Sequence, residues 1–216
     1  MHQAPDGSHR GKVGGLWDEI GQLQFDFLVR QGLQPHHSLL DVGCGSLRGG
    51  VHFIRYLEPG HYVGIDRDAA LLAAGRDVEL DAATLGAKQP LLVEMRDFQF
   101  GTLGRAYDYA LAQSVFTHLP LNQIMRCLVN MGQVLNPDGR FFATFFENPH
   151  GRAHVEPINR PNQVGRAITT FYDADPFHYT FETMAWASEG TGLRAEHLGD
   201  WQHPRGQRML MFHRDH

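Results

Sequence analysis

In the stretch SLLDVGCGSLRGG, residues 38–50, an apolar run leads into a carboxylate, Asp41, and then into a loop holding four glycines. Gly43 and Gly45 carry no side chain that would keep a ligand off the backbone, and they stand where a strand hands over to a helix. That place suits a nucleotide-like ligand. The string G-C-G-S-L-R-G-G, however, has Arg48 where a dinucleotide fingerprint has its third glycine, and no Lys-Ser or Lys-Thr pair follows to make a P-loop. A carboxylate at Asp41 would repel a pyrophosphate and favour a ligand that is positively charged and free of phosphate. Tight strand-to-helix packing would by itself also account for Gly43 and Gly45. Arg48 could pair with a ligand carboxylate or lie along the start of the helix.

A second set of reactive groups is imidazoles. His118 in FTHLP, His178 just before Tyr179, and His203 and Arg205 in GDWQHPRG follow successive strands, and groups that titrate near neutrality can serve as a general base. Each has a plainer reading as well: capping or packing for His118, a pinned loop end for His178, and solvent exposure for His203. His150 and His154 have H-x-x-x-H spacing, which ligates a metal only on a helix, and Pro149, Gly151 and Pro157 argue against a helix, so no metal site is expected. Trp17, beside the Gly14-Gly15 hinge, is a candidate lid that could touch a substrate, whereas Phe25 and the string Phe141, Phe142, Phe145 and Phe146 read as core.

The elements that must position these groups alternate. Residues 16–32 space Leu16, Ile20, Leu23, Phe27 and Leu28 at helical intervals and stop at Gly32. Strands are expected at 37–43, 61–66, 90–97, 107–114 and 140–147. Helices are expected at 47–60, at 68–86 with Asp68 as N-cap, and at 119–135, where NPDG ends the last. Five strand-helix alternations imply a doubly wound α/β fold with a mostly parallel sheet of seven strands, closed by an antiparallel hairpin at 193–214. Residues 1–14, polar and glycine-rich, read as a flexible arm that orders on binding, and residues 15–216 as one domain. An insertion at about 148–178 carries prolines at 149, 157, 161 and 176 and is too long for an ordinary loop.

Composition narrows the partners. With 216 residues, 42% of them apolar, the chain can bury a core, and a formal charge of −5 offers no basic stripe for nucleic acid. Fourteen histidines make that balance sensitive to pH near 6. Two cysteines, Cys44 and Cys127, form neither a disulfide framework nor a zinc motif, which points to a reducing compartment. The first residues lack the apolar stretch of a signal peptide, and no run approaches the roughly 20 apolar residues of a membrane span. The expectation is a soluble, cytoplasmic protein with a small-molecule partner, bound to neither nucleic acid nor membrane.

The pattern D-x-G-x-G at the first strand, with a second acid, Asp66, closing YVGID about 25 residues later, resembles the class I S-adenosylmethionine-dependent methyltransferases, over most of the chain from Leu16 onward. The resemblance implies a Rossmann-like fold and S-adenosylmethionine as cofactor. It further implies that Asp41, Gly43 and Gly45 hold the amino-acid part and that Asp66 takes the ribose hydroxyls. By the same resemblance Asp97 and Phe98 meet the adenine, and Gln113 and Ser114 pass under the methionyl portion. Leu47 replaces a frequent third glycine, and Ser46 and Arg48 extend the loop. The implied activity is methyl transfer to an oxygen or nitrogen of a small acceptor, with His118, His178 and His203 as candidate bases and Trp17, Tyr179 and Arg205 as candidate acceptor contacts. Cyclisation of the cofactor's amino-acid moiety on the same fold, a catalytically silent cofactor-binding protein, and a nucleotide-dependent dehydrogenase are the rival readings, the last disfavoured by Asp41 and Arg48.

Overall fold

Strands that read as continuous apolar runs become parallel strands covered on both faces, because only there are both side-chain rows dry. All four residues of β1 (Leu39–Val42) are buried, as are four of the five in β2 (Tyr62–Asp66). The computed structural model describes residues 8–160 and 167–215, in two units, 1–96 and 97–216. The fold is the expected mixed, mostly parallel sheet with helices on both sides.

In the first unit α1 (His9–Lys12) and α2 (Trp17–Arg30) precede β1. Then come α3 (Gly50–Tyr56), β2, α4 (Ala69–Ala74), α5 (Ala82–Lys88) and β3 (Leu91–Glu94). The strands lie in the order β3-β2-β1, all parallel, with Asp41 beside Gly64 and Asp66 beside Glu94. Helix α2 buries Ile20, Gly21, Gln24, Phe27 and Leu28, one stripe at helical spacing. Asp68 caps α4 as expected, accepting from the N–H of Ala70 and of Leu71. The single helix expected at 68–86 is instead two. A π-helical turn at Gly75–Glu79 separates α4 from α5, and Asp81 caps α5 through the N–H of Thr84. A Cβ at Gly75 would stand 2.7 Å from Leu47 Cγ, so the glycine lets this turn pack against the glycine loop. Residues 1–7 of the expected arm lie outside the described residues. From Ser8 onward it is folded, with Ser8 capping α1.

In the second unit β4 (Tyr107–Ala112) is followed by a 3-10 turn at Phe116–His118, α6 (Leu121–Val134) and β5 (Leu135–Glu147). The insertion then forms β6 (Ile158–Arg160), β7 (Ile168–Thr170) and β8 (His178–Tyr179), before α7 (Phe181–Ser188), β9 (Leu193–Asp200) and β10 (Arg208–Arg214). The order is β4-β5-β10-β9. β4 is parallel to β5, and β10 runs antiparallel to both its neighbours, which is the expected closing hairpin. Residues 136–139, expected to separate α6 from the strand, belong to β5, and the pairing with β4 shifts register between Tyr107 and Tyr109. A Cβ at Gly139 would sit 2.9 Å from the carbonyl oxygen of Tyr107, so this glycine lets the two backbones meet. Phe141, Phe142 and Phe145 are fully buried, and Phe141 packs with Phe116 and Phe212 at centroid distances of 6.0 and 5.6 Å. Within the insertion β6 and β7 form a separate antiparallel pair, and β8 joins the carboxyl end of β5 with Phe146 beside His178. Pro161, one of the insertion's four prolines, lies outside the described residues.

Candidate active site

The first unit holds the glycine loop. Gly43 and Gly45 have φ of 71° and 56°, and Leu47, the residue in place of a third glycine, also takes a left-handed φ of 71°. The N–H groups of Gly43 and Cys44 both donate to the carbonyl of Ile65, at 2.8 and 3.0 Å. Gly45 N–H donates to Asp66 Oδ2 at 2.8 Å, and Asp68 N–H donates to Asp66 Oδ1 at 2.9 Å. Asp66 therefore ties the glycine loop to the turn before α4, and each of its oxygens keeps a second lone pair for a sugar hydroxyl. With three consecutive loop N–H groups already engaged, the loop cannot present them to a pyrophosphate. The residues fit a phosphate-free nucleoside.

Asp41 is placed differently from the expectation that it grips the cofactor. It is 4% exposed and accepts from Tyr62 Oη at 2.7 Å. Burial pushes its carboxyl up to about 7 and the charge of Asp66 adds to this, while the Tyr62 hydrogen bond and Arg48 work against it. Its group thus supports the loop from within the fold. An unfolded aspartate titrates near pH ~3.9, so the folded form holds its proton longer. This residue's contribution is then full below about pH 4 and is lost as pH rises to about 7. The loss is on the order of a few kcal/mol. Asp41→Asn keeps an acceptor for Tyr62 and removes the titration. Urea midpoints at pH 5 and pH 8 should therefore differ less in the variant than in the wild type, and equal differences would contradict the assignment.

Arg48 reaches the segment around α1. It is 6% exposed, and its Nη1 donates to the carbonyls of Val13 and Gly15, at 2.8 and 2.9 Å. The segment around α1 is held across the glycine loop. Arg10 makes a two-pronged pair with Glu79, both bonds 2.7 Å, and His9 Nε2 meets the same carboxylate at 2.5 Å. A Cβ at Gly45 would lie 2.6 Å from Val13 Cγ1, so any other residue there would collide with this strap. Trp17 packs on the strap, its ring 4.7 Å from the Arg10 guanidinium carbon.

The second unit holds Asp97 and Phe98, which follow β3, and the groups after β4 and β5. Asp97 Oδ2 accepts from Gln99 Nε2 at 2.6 Å, and Phe98, with φ of 59°, packs edge-on to Phe100 at 6.0 Å. Gln113 and Ser114 enter a buried polar network. Ser114, at φ 58°, donates its N–H to Thr144 Oγ1 at 2.7 Å. Its hydroxyl meets Gln113 at 2.8 Å and Gln207 at 2.8–3.0 Å, and Thr144 Oγ1 donates to Gln207 Oε1 at 2.6 Å. His203 joins this network through Nε2, 3.1 Å from the Gln113 amide, and its Nδ1 accepts from the N–H of Arg205 at 3.2 Å. Both ring nitrogens of His203 thus face hydrogen-bonding groups, so His203 holds the network. Thr144 and Gln207 escaped the sequence reading. Thr144 had a signal, the single polar residue inside the apolar run FFATFF, whereas Gln207, beside Arg208 and ahead of MLMF, had none.

His118 stands apart from that network. Its Nδ1 is 2.5 Å from Asp175 Oδ1, both side chains are more than half exposed, and the N–H of Phe177 donates to the carbonyl of Thr117 at 2.7 Å, which fixes the two segments side by side. Nε2 of His118 is left open. Tyr179 donates its hydroxyl to the carbonyl of Leu119 at 2.8 Å and stacks on Phe177, so it braces this turn. His178 is 1% exposed, with Nδ1 3.0 Å from Thr170 Oγ1. Arg205 is half-buried. His150 and His154 lie with ring centroids 4.6 Å apart, and among the described residues no group of three or more His, Cys, Asp or Glu is placed to hold a metal.

Residues 40–141 match the family model described as a methyltransferase domain. The fold is shared with the CcbJ methyltransferase from Streptomyces caelestis at a TM-score of 0.70 and 12% identity, covering 94% of this chain and 98% of that one. It is shared with the sugar N-methyltransferase KedS8 from Streptoalloteichus at 0.65 and 18% identity, covering 100% and 94%. It is shared too with magnesium protoporphyrin IX methyltransferase from Synechocystis, a structure with bound S-adenosylhomocysteine, at 0.62 and 15% identity, covering 92% and 85%. The sequence match gives residues 40–141 as a methyltransferase domain on the fold these structures share, and S-adenosylmethionine is the cofactor that such a domain implies. No helix among the described residues is long and apolar enough to cross a membrane.

Proposed function

We propose that this enzyme methylates an oxygen or nitrogen of a small-molecule acceptor, with His118 taking the acceptor's proton. Bound S-adenosylmethionine supplies an electrophilic methyl group that an aligned nucleophile displaces in line. Asp66 would accept from the ribose hydroxyls, Gly43 and Gly45 would let the amino-acid part lie against the loop, and Asp97 and Phe98 would bound the adenine. Gln113 and Ser114, held by Thr144, Gln207 and His203, would shape the floor near the methionyl portion. The observation that carries the cofactor side is the Asp66 carboxylate bonded to Gly45 N–H, beside loop N–H groups spent on Ile65. The observation that carries the base is Asp175, which holds His118 by Nδ1 and leaves Nε2 for a substrate proton. A net charge of −5 and folds shared with sugar and porphyrin methyltransferases favour a small acceptor over nucleic acid. Both cysteines are free and buried, in keeping with a reducing compartment.

Calorimetric titration with S-adenosylmethionine, S-adenosylhomocysteine and NAD tests this reading. Binding of the first two and not of the third is expected, and the reverse pattern would refute it. Incubation with cofactor alone separates cyclisation, since steady accumulation of methylthioadenosine would replace methyl transfer as the reaction.

A further inference from the structure

The insertion after β5 builds a cluster that the methyl-transfer chemistry does not use. His178, on β8, is 1% exposed, and its Nε2 is buried without a hydrogen-bond partner among the described residues. A buried ring nitrogen left unmet costs roughly 1–3 kcal/mol, so a partner for it is to be sought. Its other nitrogen meets Thr170 Oγ1, and the same hydroxyl accepts from Arg160 Nε at 3.0 Å. Arg160 spends Nη2 on the carbonyl of Glu147 at 2.6 Å and lies over the ring of Phe146, its carbon 5.0 Å from the centroid. Nη1 has no partner among the described residues. His154 is 6.5 Å from His178, ring to ring, and His150 is packed against His154.

Charge in this cluster is one-sided. Burial first, then Arg160, His154 and His150, hold the His178 imidazolium below its ordinary range, and burial brings Arg160 down to about 10. The carboxylate that acts on Arg160 is Glu147, and it already faces His197 at 2.9 Å and Arg208 at 3.9 Å. Positive charge gathered around an unmet ring nitrogen is what an anion relieves.

We propose that Arg160 and His178 form a binding site for a carboxylate, and that the acceptor of the methyl group carries one. Two donors, Arg160 Nη1 and the Nε2–H of protonated His178, match the two oxygens of a carboxylate; His178 Nδ1–H then donates to Thr170 Oγ1, whose own proton goes to the Ile158 carbonyl at 3.4 Å. A carboxylate's two oxygens use both donors, whereas a phosphate would keep further oxygens unmet. The site lies beside the carboxyl end of β5, where α/β folds place ligands. Only the word acceptor rests on the methyl-transfer reading. The carboxylate site stands on the cluster itself.

The test is an NMR titration of histidine-15N-labelled protein with sodium acetate, acetamide and inorganic phosphate at constant ionic strength, the His178 signal being assigned with His178→Gln. Acetate is expected to shift the His178 ring signals saturably, with a midpoint of about 1–10 mM. Arg160→Met should raise that midpoint about tenfold or more, and Arg160→Lys, which keeps the charge without the fork, should fall between. Unchanged S-adenosylmethionine binding and circular dichroism certify each variant's fold. Equal shifts with acetamide, or none with acetate, would mean that Nε2 meets only water and would overturn the proposal. Phosphate binding more tightly than acetate would overturn the choice of carboxylate. Failure of the cofactor to bind would sink the methyl-transfer reading and leave the acetate result standing.

Discussion

Asp66→Ala should weaken S-adenosylmethionine binding about 100-fold or more, since each hydrogen bond to a charged group is worth roughly 1.5–3 kcal/mol and the ribose offers two hydroxyls. The loss has a second source in the protein. Without the carboxylate, Gly45 N–H and Asp68 N–H lose their acceptor, and the loop is no longer tied to the turn before α4. Asp66→Asn keeps one acceptor oxygen and should lose about tenfold. Calorimetry on protein with an intact circular dichroism spectrum reads both. Wild-type affinity in Asp66→Ala would remove the ribose assignment and with it the reason for placing the cofactor over this loop.

His118→Ala should lower kcat about 100-fold at neutral pH with cofactor affinity unchanged, the low end of what general-base catalysis contributes. Asp175→Asn should cost about tenfold: both side chains are more than half exposed, so solvent screens the pair, and the remaining effect is orientation. Its diagnostic is the tautomer. In the wild type Nδ1 carries the proton toward Asp175, and 15N shifts of the His118 ring should show that proton moving to Nε2 in Asp175→Asn while KM stays near its original value. A kcat that His118→Ala leaves untouched would mean that the acceptor attacks without losing a proton to this group. The base would then be absent from the mechanism.

Much of the scaffold could be read before any coordinates. Asp68 is a cap wherever an acid stands ahead of AALLAA, and the alternation of apolar runs with helical stripes leaves few arrangements besides a doubly wound sheet. The break at Gly75–Glu79 was not legible, because the helical stripe continues through it and the packing of Leu47 on Gly75 joins residues distant in sequence. Residues 136–139 look like a stop signal, yet they run on as β5, since Gly139 lets the strand pass close to Tyr107. Both misreadings have one cause: a close approach by a residue distant in sequence overrides local preference.

The site divides in the same way. Residue types and spacing alone determined the class of ligand, because a D-x-G-x-G loop followed by an acid at the next strand end suits an uncharged or cationic nucleoside and suits a pyrophosphate poorly. They also determined which strand ends carry the reactive groups. Only the tertiary structure decided what each group does. Asp41 turned inward to Tyr62, Arg48 took the strap's carbonyls, His203 closed a network with Thr144 and Gln207, and Asp175 came from 57 positions away to hold His118. The reason is physical: charge and hydrogen-bonding capacity belong to a residue wherever it stands. Its partners and its dryness are set by the chain that folds around it.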